Sequence, residues 1–246
     1  MKVVLLGGTS GMGRAIGRQL VERGDHVFLL GLGDAELEKS AADFEQRGGG
    51  KLKVGYAPCD LERPESFAPA LAEADRVLGG FDTVIVTAAL FATQERLEQD
   101  IELTRRLLTV NFANTVVFCE QVRAYLLGRG GGRLCVFSSV AGDRGRKPVV
   151  LYGASKAGLS AYLEGLDHRY HAQGLQILCV KPGFVRTSMT EGLKAPPFAG
   201  EPEGVAKQVL TALDNRRPVV YAPAMWAWVM RVIRNLPRFV MRKVGF

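Results

Sequence analysis

Tyr152 and Lys156 stand four residues apart in the segment Tyr152-Gly153-Ala154-Ser155-Lys156, and Ser139 precedes the tyrosine by thirteen positions. The segment reads as a helix beginning near Leu151, so the phenol and the ammonium project from one face. A free phenol has a pKa of about 10 and exchanges protons poorly at neutral pH. A neighbouring ammonium favours the phenolate and is expected to draw that pKa down, towards the range where acid–base catalysis is efficient. Ser139 follows the apolar run Leu134-Cys135-Val136-Phe137, and its hydroxyl can hold a carbonyl or alcohol oxygen beside the phenol. Together the three groups suit the polarisation of a ketone. A Tyr-x-x-x-Lys pair alone is commonly an ordinary helix pair, so the chemical reading rests on its company.

That company begins at the N-terminus. Lys2 to Leu6 reads as a strand, Gly7-Gly8-Thr9-Ser10-Gly11-Met12-Gly13 as a turn, and Arg14 to Arg23 as a helix. Glycines at 7, 11 and 13 permit a tight turn, close approach by phosphates and tight packing of helix on strand, while the helix N-terminus favours negative charge. This is a dinucleotide site of the G-x-x-x-G-x-G type. A plain turn between strand and helix is the competing reading of the glycines, and the flanking elements favour the nucleotide.

Taken with Ser139, Tyr152 and Lys156, this opening resembles the short-chain dehydrogenase/reductase family over essentially the whole chain. The resemblance implies an Asn, Ser, Tyr, Lys tetrad, which falls on Asn111, Ser139, Tyr152 and Lys156. It implies hydride transfer from nicotinamide C4 to a ketone, or the reverse, with Ser139 holding the carbonyl oxygen and Tyr152 donating its proton. Lys156 would lower the tyrosine pKa and bind the nicotinamide ribose, and Asn111 would bend its helix and hold a water relay. The cofactor is placed on Gly7, Thr9, Ser10, Gly11, Met12 and Gly13, then on Leu32, on Asp60 and Leu61 beside the adenine, and on Ala88 and Ala89. The Pro182-Gly183 turn follows, with Val185 and Thr187 at the nicotinamide carboxamide.

Two stretches depart from the family pattern. Thr87-Ala88-Ala89-Leu90 stands where Asn-Asn-Ala-Gly is expected, and Leu6 where a threonine is expected; both changes are expected to remove polar ties between the central strands and the cofactor loop. The residues after the second strand face the adenosine ribose and choose the cofactor. Here they are Gly31-Leu32-Gly33-Asp34, without the acid of NAD users at Gly31 or the arginine of NADP users at Leu32. Arg14 either reaches a 2′-phosphate or is a solvated helix residue. NADP(H) is the expected cofactor, with NAD(H) kept open.

Positioning these residues requires alternating strands and helices. After the first unit come a strand His26 to Leu30, a helix Asp34 to Gln46, a strand Leu52 to Tyr56 and a helix Pro64 to Leu78. Then come a strand Thr83 to Thr87, a helix from about Leu103 to Leu127 carrying Asn111, a strand Arg133 to Ser138, the helix Leu151 to about Ala172, and a strand Gln176 to Lys181. Such alternation indicates an α/β chain, a single-domain Rossmann fold with a doubly wound parallel β-sheet and helices on both faces. Right-handed crossovers bring the strand ends, and with them the glycine turn, Ser139 and Thr187, to one edge. Residues 1–222 form that domain and 223–246 a C-terminal extension. From Ser188 to Pro202 the chain is irregular, with Met189, Leu193, Lys194 and Phe198 expected to form an apolar substrate pocket with one cation.

Composition excludes several classes. The first apolar run is too short for a signal peptide, so a cytoplasmic protein is expected. Cys59, Cys119, Cys135 and Cys179 lack C-x-x-C spacing and read as buried thiols, with neither a disulfide framework nor a metal site indicated. His168 and His171 read as surface residues. Of the formal charge of +7, Arg231, Arg234, Arg238, Arg242 and Lys243 contribute five from the last sixteen residues, which gives little reason to expect nucleic acid. The tail from Ala224 to Phe246 is basic and amphipathic, with Trp226, Val229, Ile233 and Leu236 on a shared face and Pro237 interrupting it. It is open to two readings, contact with a membrane surface or packing in an oligomer contact or over the pocket. A homodimer or homotetramer acting on a small-molecule or lipid-linked ketone is expected.

Within the family the chain is similar to a subgroup typified by decaprenylphosphoryl keto-sugar 2-reductases. The similarity lies in the Gly-Gly-Thr-Ser opening, the runs at 138–144 and 181–187, and Leu236-Pro237-Arg238. A 3-ketoacyl or 3-ketosphinganine reductase, a soluble small-ketone reductase and a non-catalytic NAD(P)H-binding regulator are the alternatives.

Overall fold

A computed structural model describes residues 1–50, 53–196 and 198–243. Its strands are β1 (Lys2–Leu6), β2 (His26–Gly31), β3 (Gly55–Pro58), β4 (Thr83–Val86), β5 (Gly132–Phe137), β6 (Leu175–Pro182) and β7 (Val219–Ala222). They form a single sheet in the order β3-β2-β1-β4-β5-β6-β7, and every neighbouring pair is parallel. The inner strands are short runs rich in Val, Ile and Leu and buried on both faces, as parallel strands between helical layers must be, while the edge strands β3 and β7 are partly exposed. Alternation along β1 divides the core: Val4 and Leu6 pack on one side with Phe28, Phe67 and Phe118, and Val3 and Leu5 on the other with Leu29 and Phe44.

One layer contains α1 (Gly11–Glu22), α2 (Asp34–Arg47) and α8 (Pro202–Asp214); the other contains α3 (Phe67–Leu78), α6 (Thr115–Gly128) and α7 (Val150–Tyr170). The chain is the doubly wound α/β fold expected from the alternation. The expected helix around Asn111, from about Leu103 to Leu127, is divided into α5 (Ile101–Leu108), a π-helical turn at Thr109–Asn114, and α6, and the short α4 (Gln94–Gln99) precedes it. The expected third strand lies later than Leu52 to Tyr56. Leu52 is outside the described residues, and β3 takes its register from Phe28 opposite Gly55, where a side chain at 55 would meet the Phe28 ring at 2.7 Å. Beyond β6 the fold adds α8 and β7, which extend the layers at the far edge.

After Ala222 the chain forms α9 (Met225–Asn235) and the short α10 (Arg238–Met241). Trp226, Met230 and Ile233 are buried with Val140, and Phe184 and Tyr221 pack on them. The shared face read from Trp226, Val229 and Ile233 therefore points into the protein. Val244, Gly245 and Phe246 of the expected tail, and Pro197 of the irregular segment, lie outside the described residues.

Candidate active site

The glycine turn is built by sterics. Gly7 and Gly11 have φ of 94° and 46°, in the region where a Cβ is penalised. A Cβ on Gly13 would stand 2.1 Å from the Gly7 carbonyl oxygen, closer than any side chain can be placed. Ser10 is the N-cap of α1 but makes no side-chain cap, and the first turn has no acid. Orphan N–H groups and the positive end of the helix dipole thus face the turn without internal compensation, the arrangement that receives a diphosphate. Replacing Gly13 by alanine is expected to displace the turn, lower the melting temperature and reduce dinucleotide binding more than tenfold, measurable by thermal denaturation and nucleotide titration; wild-type binding would show the close approach to be dispensable.

A cleft of about 490 Å³ runs along the carboxyl ends of β1, β2 and β4. Gly7, Thr9, Ser10, Gly11, Met12, Gly13, Leu32, Asp60, Leu61, Ala88, Ala89 and Thr187 line it, which brings together twelve of the positions carried over from the family. Gly31, Glu62, Leu90, Phe91, Arg106, Ser188 and Met189 line it as well. Arg106 lies on α5, distant in sequence from the strand ends, and pairs with Glu62 across the cleft's edge.

Pro182, Gly183 and Val185 are placed differently. Gly183 donates its N–H to the Ala222 carbonyl at 3.1 Å, and Trp226 covers it so closely that a Cβ there would meet the indole at 2.1 Å. The Val185 side chain is buried in the core, and its carbonyl accepts from the Thr190 hydroxyl at 2.7 Å. Only backbone from this stretch can serve a carboxamide.

The polar ties expected to be missing are supplied by Thr87. Its hydroxyl lies 3.1 Å from the Leu6 carbonyl and 3.0 Å from that of Gly7 and donates to them, so β4 holds the glycine turn directly. Leu6 belongs to the core. Arg14 is half-buried and donates to the Thr9 carbonyl, which holds its guanidinium beside the turn.

The residues expected to do acid–base chemistry gather beyond Leu90. Asn111 is fully buried and grips the Leu90 backbone at both ends: its Oδ1 accepts from Leu90 N, and its Nδ2 donates to Leu90 O, each at 2.7 Å. The π-turn brings its amide to this position, with one Nδ2 hydrogen left over. Phe91 meets the Tyr152 ring edge-on at 5.2 Å between centroids. Lys156 Nζ lies 5.8 Å from the centre of that ring and donates to the Phe137 carbonyl at 2.9 Å. The Ser139 hydroxyl accepts from Ala141 N at 3.1 Å and is within hydrogen-bond reach of the phenol.

The electrostatics differ from the sequence expectation. Burial pushes the Tyr152 phenol up to about 12, with the Ser139 hydrogen bond pulling weakly the other way. Burial also brings the Lys156 ammonium down to about 8. Spacing alone suggested that the lysine would lower the tyrosine; in the folded site desolvation dominates, and the ammonium is engaged by Phe137. A phenol held protonated at neutral pH is an acid, suited to giving its proton to an alkoxide.

A second cavity, of about 540 Å³, opens beside the first between Phe184, Arg186, Thr187, Ser188, Thr190, Glu191, Leu193 and Ala195. Its cation is Arg186; Lys194 is exposed and lines neither cavity. Phe198 packs edge-on against Trp226 at 5.8 Å, which joins the irregular segment to α9. Behind Ser139, the Asp143 carboxylate accepts from Lys181 Nζ and from the Tyr221 hydroxyl, each at 2.6 Å, and Arg144 donates to the Leu236 carbonyl at 2.9 Å. The runs at 138–144, 181–187 and 236–238, far apart in sequence, meet at this junction. His168 and His171 are exposed, and the four cysteines are buried.

The short chain dehydrogenase family model matches residues 1–197. An uncharacterized oxidoreductase of Mycobacterium tuberculosis is 31% identical, covering 98% of this chain and 96% of its own. Carbonyl reductase family member 4 of Xenopus tropicalis is 29% identical over 86% of this chain and 90% of its own. A short-chain type dehydrogenase/reductase from Mycobacterium ulcerans superposes with a TM-score of 0.82 at 21% identity, covering 89% of this chain and 86% of that one. With the glycine turn, the strand order and the Ser139, Tyr152 and Lys156 cluster in place, the chain belongs to the short-chain dehydrogenase family and is an NAD(P)-dependent oxidoreductase.

Proposed function

We propose that the protein reduces the ketone of an apolar, lipid-linked substrate with NADPH, a lipid-linked keto-sugar being the member of that class its motifs resemble. The observation that carries this reading is the meeting of the two cavities at Thr187 and Ser188: Phe91 on the wall of the nucleotide cleft touches the Tyr152 ring, and Met189, Leu193 and Phe198 present partly exposed apolar surface in the same irregular segment. Ser139 holds the carbonyl oxygen, and Tyr152 gives that oxygen its proton. Lys156 keeps positive charge beside the phenol and binds the nicotinamide ribose. Asn111 holds the Leu90 wall and, through its remaining N–H, orients a water. The bound nicotinamide supplies hydride to the carbonyl carbon, leaving an alcohol and the oxidised cofactor.

Support for NADPH comes from the ribose end. No carboxylate stands at Gly31 or Leu32 to repel a 2′-phosphate, and Arg14 is anchored at Thr9. An added Cβ at Gly31 would meet only Leu37 at 3.4 Å and Thr9 at 3.9 Å, so the backbone there admits a side chain, and Gly31→Asp is the variant to test. That variant is expected to weaken NADPH at least about tenfold while improving NADH, through repulsion of the phosphate and a hydrogen bond to the ribose. Equal losses for both nucleotides would remove position 31 from the ribose site.

A lipid-linked substrate sits at a membrane surface, and this reading places the enzyme there as a peripheral cytoplasmic homo-oligomer. The test is NADPH oxidation followed by nicotinamide absorbance with lipid-linked keto-sugars, 3-ketoacyl thioesters, 3-ketosphinganine and small ketones. Highest kcat/KM is expected for the lipid-linked keto-sugar; turnover confined to small soluble ketones would overturn the lipid reading.

A further inference from the structure

The C-terminal segment carries apolar side chains on two faces, where a helix lying on a protein surface needs one. Inward, Trp226, Met230 and Ile233 are buried. Outward, Met225, Trp228 and Val232 are 54%, 68% and 63% exposed, and Phe239 on α10 is 66% exposed. At about 100° per residue, Met225, Trp228 and Val232 fall within an arc of about 60°, so they form one stripe. No acid follows Asp214 in the chain. Arg231, Arg238, Arg242 and Lys243 are all exposed, and the Arg231 guanidinium stands 5.9 Å from the Trp228 ring centre. Beside the stripe a hollow of about 450 Å³ is lined by Tyr221, Ala227, Arg231, Arg234 and Asn235: two guanidiniums and no carboxylate.

We propose that this outer face of α9 and α10 docks on a bilayer of anionic lipids, the apolar stripe entering the acyl boundary and the guanidiniums meeting headgroup phosphates. Charge decides between the candidate occupants. A second copy placed across a two-fold axis would set two acid-free basic faces against each other, whereas an anionic bilayer supplies the missing negative charge. Contact at the surface is the mode that fits, because among the described residues no helix is long and apolar enough to cross a membrane. The inward face of the same helix covers Gly183 and packs on Phe198 through Trp226, so docking brings the substrate-side cavity to the lipid boundary. The inference deepens the lipid-linked reading and rests on it for its purpose, but its test contains no substrate, so either can fail alone.

The test uses the full chain with vesicles of phosphatidylcholine alone or mixed with phosphatidylglycerol, read by co-sedimentation and tryptophan emission. Trp226 is already buried, so a blue shift on binding reports Trp228. Affinity at least about tenfold higher for the anionic vesicles is expected, falling as salt rises. The Trp228→Ser/Val232→Ser variant should lose binding, and Arg231→Gln/Arg238→Gln should weaken it, while each keeps the wild-type melting temperature and NADPH affinity. Equal binding to both vesicle types, or binding to neither, would overturn the proposal. A wild-type oligomer that the double apolar variant dissociates, without vesicle binding, would assign the face to a second copy and overturn it too.

Discussion

Tyr152→Phe is expected to lower kcat for ketone reduction by about 10²- to 10⁴-fold, the usual contribution of a positioned proton donor, while leaving NADPH affinity nearly unchanged. The phenylalanine ring keeps the edge-on contact with Phe91 and removes only the hydroxyl that faces Ser139. Because burial holds the phenol protonated up to about 12, reduction has its acid available throughout the neutral range. The companion ammonium titrates earlier: Lys156 is charged below about 8 and loses its charge above it. Reduction by the wild type is therefore expected to be level up to about pH 8 and to decline above it, and alcohol oxidation, which needs the phenolate, to gain as pH rises. Steady-state rates in both directions over that range, with nucleotide titration of the variant, measure this. Unchanged turnover in Tyr152→Phe would dismiss the phenol as the proton donor.

Lys156→Met is expected to abolish turnover and, at neutral pH, to stabilise the fold. The lysine is buried and charged, and its value falls from 10.5 in water to about 8, which corresponds to about 3 kcal/mol of cost for the folded state at pH 7. Leaving the Phe137 carbonyl without its donor returns about 1 kcal/mol of that. A net gain of about 2 kcal/mol raises the melting temperature of a chain this size by about 4–8 °C. Between about 8 and 10.5 the unfolded chain binds more protons at this group than the folded one, so wild-type stability rises with pH across that window and the gap to the variant closes. Melting curves of both proteins at neutral and alkaline pH decide it: a variant less stable at pH 7, or a gap indifferent to pH, would show that the buried ammonium costs the fold little.

Much of the molecule was written locally. Short runs of Val, Ile and Leu alternating with amphipathic helices specify a parallel sheet, because each element must bury its apolar face against the next layer. The turn at Gly7 to Gly13 is equally local, since only glycine tolerates the backbone angles and the contact with the Gly7 carbonyl. The four-residue spacing of Tyr152 and Lys156 places them on one helix face in any context.

Tertiary structure decided what depends on surroundings. Thr87 restored the tie to the glycine turn because β4 lies beside β1, a pairing across some eighty residues. Asn111 reached Leu90 only through a π-turn that the helical periodicity did not announce. Trp226, equally apt for a membrane or a core by composition, was drawn onto Gly183 by the gap above a residue with no side chain. The proton affinities of Tyr152 and Lys156 were set by desolvation, which no spacing encodes. The sequence by itself determined the fold, the glycine turn and the placing of Tyr152 and Lys156 on one helix face, because these follow from local sterics and periodicity; the tertiary structure alone decided the charge state of the candidate acid–base groups and which face of the tail is left outside, because burial is a property of everything packed around a residue.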